Sequence, residues 1–210
     1  MFSKNLTLDF VRRFWLFSIA FCATQVACCN SITLVYAYQH IADKDRALLM
    51  LITGGCTYLV YSLAKKKIVK QWVCTHYTFM ALVGIVVDGG TELALLRSAF
   101  TKFVCDFVCL ATFFKFYRIQ MIERMAAMFS GKDRSDFDID VSRADAIGVV
   151  AGGTTAYLSP SIPIEYVIWI SAIWTVITYI TSWIRFRFCD NYMQQNGIQL
   201  PCMKEDEEED

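Results

Sequence analysis

The chain has 210 residues, no net charge, and 56% hydrophobic side chains against 19% charged ones, with only 3 prolines. Its charges gather in short clusters between apolar stretches, which leaves little chain for a separate soluble domain and no electrostatic reason to bind nucleic acid directly. Such a composition predicts an all-α polytopic membrane protein, with lipid as the solvent for most side chains.

A hydrocarbon core about 30 Å thick takes roughly 20 helical residues to cross. Residues 1–13 read as a cytoplasmic N-terminal segment closing on Arg12 and Arg13. The apolar stretch that follows, residues 14–38, is too long for a signal h-region and shows no small-residue cleavage pattern, so it reads as a retained anchor. Within it Ser18, Cys22, Gln25 and Cys29 step by four, three and four and so share one helix face. Residues 47–64 and 71–87 are the next two predicted spans, set apart by Lys65, Lys66, Lys67 and Lys70. The fourth, residues 100–117, contains Asp106, and the fifth, residues 144–158, is short and glycine-rich. There Ala144, Gly148, Gly152 and Ala156 recur every four residues, a pattern that lets another helix approach closely where lipid gives no hydrophobic drive. Ser159 to Pro163 suits a tight reversal. Residues 164–186 form the sixth predicted span, with Ser171, Thr175, Thr178 and Ser182 on one polar face.

Six spans would place 16 of the 20 basic residues on one side and 4 on the other, the bias that sets orientation in a bilayer. Both termini then lie in the cytoplasm of a plasma or inner membrane, with a cytoplasmic loop at about 118–143 and an acidic tail at 189–210. If the fifth stretch does not cross, the split falls to 13 against 7, and four or five spans stay open.

The acidic residues around the third and fourth spans are the leading functional candidates, because a charge inside the bilayer needs a partner or water. Asp88 and Asp106 each lie nine residues from Arg97, and Glu92 and Lys102 five. A hairpin with its tip at Arg97 would bring the two aspartates to one depth, where repulsion favours a shared proton or cation, and would pair Glu92 with Lys102. The competing reading ends the third span at Asp88-Gly89-Gly90 and leaves Glu92 and Lys102 solvated in an external loop. The polar faces through Gln25, Thr175 and Thr178 line a pathway on one reading and hold helices together on the other. Gly148 and Gly152 mark the packing face, expected to join copies of the chain into a homo-oligomer.

Other chemistry is less well supported. Asp136, Asp138 and Asp140 alternate as in a calcium loop, but Val141 stands where glycine is needed and Ile147 where the bidentate glutamate is needed. No metal-ligand set, nucleophile elbow or phosphate loop is legible, so no metal, cofactor or catalytic residue is expected, although an enzyme with dispersed polar residues stays open. The nine cysteines fall in apolar stretches or on the cytoplasmic side and read as reduced thiols, with Cys189 a candidate for palmitoylation. From Phe114 to Phe129 the residues Met121, Met125 and Met128 gather on one side while Glu123 and Arg124 project elsewhere, as in an interfacial helix. The expected function is a small channel or transporter subunit handling a cation or small solute. The alternative is a membrane sensor that recruits a cytoplasmic protein through the inner loop and acidic tail.

Overall fold

The computed structural model describes residues 6–98, 116–158 and 162–204. Among these the chain is all-helical, with no strand, and three of its helices are long and apolar enough to cross a membrane: Leu8–Thr33, Tyr77–Ala94 and Ile164–Gln195. The protein is a helical membrane protein.

Helix α1, Leu8–Gln25, starts where the Thr7 side chain accepts the Phe10 N–H at 3.3 Å, with Asp9 in the first turn. It therefore begins before the apolar run, not at Phe14. A single π-helical turn, Val26–Asn30, carries it into α2, Ser31–Gln39. Helix α3 runs Asp43–Ala64. The third apolar stretch does not form one helix. His76 leaves helical geometry at φ −102° and ψ 25°, splitting it into α4, Lys67–Thr75, and α5, Tyr77–Ala94. Residues 116–128 form α6, and α7, Gly131–Leu158, follows after a joint where Gly131 takes φ +53°. The expected loop at 118–143 is therefore almost wholly helical. Helix α8, Ile164–Gln195, starts after Pro163 and ends in a Schellman motif. There Gly197 takes φ +65° and Ile198 N–H donates to the Met193 carbonyl at 2.9 Å.

Contacts fix the helix directions. Arg12 pairs with Asp140, Ala20 abuts Gly148 and Thr24 abuts Gly152, all separated by the same 128 residues, so α1 and α7 run parallel. Against α8 the order reverses: Phe10 meets Phe188, Trp15 meets Arg185 and Gln25 meets Thr175. Helix α5 is also antiparallel to α8, through Tyr77 with Phe186, Thr78 with Trp183 and Gly84 with Tyr179. Thus α1, α5 and α7 point one way and α8 the other.

The α1–α7 contact rests on glycine. A Cβ on Gly148 would lie 2.3 Å from the Ala20 carbonyl oxygen and one on Gly152 2.4 Å from that of Thr24. The Ala144 to Ala156 face is thus used within the chain, against α1, and is not available to join copies as the sequence led us to expect. The outer faces of the bundle carry exposed Leu82, Val86, Val150, Tyr157 and Trp169, and α3 buries only Val60 and Ala64 among its described side chains. The main apolar core sits elsewhere, at the end where α1 and α7 begin and α8 finishes. Val11, Trp15, Met125, Phe129, Phe137 and Phe188 close it, with the 3-10 turn Pro201–Met203 against the same end.

Candidate functional site

At that end, charges from distant segments meet. Arg124 of α6 is fully buried, at 0% exposure, and donates through Nε and Nη2 to the two Asp190 oxygens at 2.9 and 3.1 Å. Its remaining donors reach the Cys74 and Gln120 carbonyls at 3.3 and 3.4 Å, and its plane stacks on Tyr77 and Phe186. Burial alone would lower the Arg124 pKa, but the Asp190 carboxylate and its hydrogen bonds more than reverse this, so the charge is held more firmly than usual. Next to it Glu123 accepts the Cys202 N–H at 3.1 Å and lies 3.9 Å from Lys70, and Gln120 donates to the Val73 carbonyl at 3.1 Å. One helix thereby ties the α4 carbonyl end, α8 and the tail together. Burial raises the Cys74 thiol, which also hydrogen-bonds to Cys202, and raises the Cys202 thiol. Both stay protonated at neutral pH. Arg12 with Asp140, and Arg143 with the same carboxylate at 3.5 Å, complete the layer on the α1–α7 side.

Above this layer a polar column runs between α1, α5 and α8. On α1 and its π turn the column consists of Trp15, Ser18, Cys22, Gln25 and Cys29, spaced three, four, three and four, and Thr33 continues it on α2. On α8 it consists of Ser171, Thr175, Thr178, Ser182 and Arg185, at spacings of four, three, four and three. The two stripes meet where Gln25 Nε2 donates to Thr175 Oγ1 at 2.8 Å and Thr178 donates to Gln25 Oε1 at 3.5 Å. The π turn begins one residue later, and such turns recur at functional positions because they re-aim side chains within a helix. From α5 come Asp88, Thr91 and Glu92. Glu92 is 2% exposed inside a helix apolar enough to cross a membrane, and its carboxylate lies within electrostatic reach of Cys29, as Asp88 does of Cys22. Thr33, Thr91, Ser171 and Thr175 are also buried.

The sequence candidates fall out unevenly. Gln25, Thr175 and Thr178 are brought into direct contact, whereas Lys102 and Asp106 lie outside the described residues, as does the acidic run from Glu205. Helix α5 passes through Asp88-Gly89-Gly90 to Ala94, so the helix does not end there and Glu92 is buried rather than solvated. Glu123 and Arg124 do not project outward but are buried, because Asp190, Cys202 and the α4 carbonyls wait on the inner side. Met125 is buried in the core with Met121 and Met128 packed on it, so that apolar face is also taken within the chain. Asp136 and Asp138 sit on a helix, which removes the loop geometry a calcium site of that kind needs. Sequence reasoning missed Arg185 and Trp15, although each extends its stripe by one step of three. No family model matches the chain, and no curated protein or solved structure is detectably similar to it.

Proposed function

We propose that the chain is a six-pass membrane protein with both termini in the cytoplasm, and that it is a subunit of a small channel or transporter moving a cation or a proton-coupled solute along the polar column. Support for six passes comes from direction. Parallel α1 and α5 call for a return between them, which α3 would supply, and parallel α5 and α7 call for another between the end of α5 and the start of α7. Orientation follows from the gathering of Arg12, Lys70, Arg124, Arg143 and Arg185 at the end shared by α1, α4, α6, α7 and α8.

The observation that carries the transport reading is Glu92, a carboxyl group buried within electrostatic reach of the Cys29 thiol in a helix fit to span the bilayer. An ionisable residue buried in a membrane-spanning helix is costly, and its default explanation is an ion or proton relay. A protonated Glu92 hands its proton to water, and an ionised one holds a cation against nearby oxygens. Purified protein in proteoliposomes with an internal pH dye should pass protons or monovalent cations under a gradient. Glu92→Gln should abolish that flux, and Thr178→Ala should reduce it several-fold. Flux untouched by Glu92→Gln would sink the proposal. Recruitment of a soluble protein through the inner segment draws less support, since the methionine face is spent on the core.

A further inference from the structure

The two buried guanidiniums are treated differently. Arg124 has Asp190, whereas Arg185, 3% exposed, has no carboxylate within ion-pair distance among the described residues. Among the described residues its one hydrogen bond goes from Nη2 to Tyr117 Oη at 3.0 Å, and its Nε–H has no acceptor. Trp15, Tyr117 and Phe186 wall it in, with ring centroids 5.2, 5.4 and 5.1 Å from the guanidinium carbon. On the facing turn of α1 two more donors, Trp15 Nε1 and Ser18 Oγ, are buried at 0% and 1% exposure and are likewise unpartnered. Buried polar groups are nearly always satisfied, and a buried cation left uncompensated is among the costlier arrangements a fold can hold.

Here the surplus is one positive charge and three donors on two adjacent helices, Trp15 level with Arg185 and Ser18 one turn further along α1. That chemistry fits an acceptor-only, singly charged partner. A guanidinium edge suits a carboxylate, and the aromatic walls suit an apolar body behind it; a phosphate dianion would ask for more than one cation. We infer that Arg185, Trp15 and Ser18 form a binding site for a small organic monocarboxylate at the cytoplasmic end of the polar column. The site deepens the transport reading by naming a solute class, yet binding is expected whether or not the chain moves what it binds.

The test uses the purified full chain in detergent, with benzoate as probe and inorganic phosphate as comparator, followed by thermal unfolding. Benzoate should raise the melting temperature saturably and phosphate should do so only weakly. Arg185→Gln should weaken benzoate by at least about tenfold, a lost charged contact, and Ser18→Ala by about threefold, a lost neutral one. Should Arg185→Gln fail to accumulate, Arg185→Lys, which keeps charge but loses the flat edge, decides the matter by the same comparison. Equal benzoate affinity in wild type and these variants would overturn the inference, as would phosphate binding more tightly than benzoate. So would a loss of stability in Asp106→Asn that Arg185→Gln repairs, because Arg185 would then be balanced from within the chain. Glu92→Gln should leave benzoate binding intact. Binding that survives while flux does not depend on Glu92 would refute the transport reading alone.

Discussion

The end around Arg124 and the polar column between α1, α5 and α8 bury polar groups on opposite terms. At the end, Arg124, Glu123 and Gln120 are enclosed by a carboxylate, backbone carbonyls, an amide and an aromatic core, as in a soluble protein. In the column, hydroxyls, thiols, an amide and two acids line a contact between helices whose outer faces are apolar and exposed. The first arrangement holds helices in register at a place where water competes. The second keeps polar side chains inside lipid, where they are expensive and packing alone would do without them. On the proposed reading the first region serves stability and the second transport, a distinction that substitution can break.

The largest effect should come from Asp190→Ala, which strands the Arg124 charge and should cost about 3–5 kcal/mol in detergent unfolding. Next, Gly148→Val or Gly152→Val drives a side chain into the α1 backbone and should cost about 1–3 kcal/mol, whereas Gly153→Ala, with open space around it, should gain about 0.5–1 kcal/mol on helix propensity. Gln25→Leu removes the contact to Thr175 and should lower stability by only about 0.6 kcal/mol, as interhelical hydrogen bonds in membranes typically do, while abolishing most flux. A loss as large as that of Asp190→Ala would erase the distinction between the two regions. The smallest effect is kinetic: Cys74 and Cys202, whose thiols burial keeps protonated, should resist iodoacetamide at neutral pH in the folded protein, while half-buried Cys56 reacts faster. Equal rates read by mass spectrometry would show that the end is not closed.

Much of this was legible because membrane helices write their environment into short-range spacing. The four-residue step through Gly148 and Gly152 and the polar stripes through Gln25 and Thr175 identify faces without knowledge of their partners. What the spacing cannot carry is which helix meets which. The α7 face was therefore assigned to a second copy, and it packs on α1 instead. Arg124 read as exposed because its counter-charge is 66 residues away, and nothing local announces Asp190. The break at His76 was hidden by continuous hydropathy across residues 71–87, although a lysine-rich start followed by Ile68 and Trp72 on one exposed side is the pattern of a short helix at a membrane surface.

The parallel pairing of α1 with α7 also orders events in time. Helix α1 is synthesised before its partners: the glycine face that fits its Ala20 and Thr24 carbonyls follows 128 residues later, and Thr175 later still. Until then Gln25 lacks its Thr175 partner. The contacts that complete α1 are thus of long sequence separation, and its packing waits on segments made well after it.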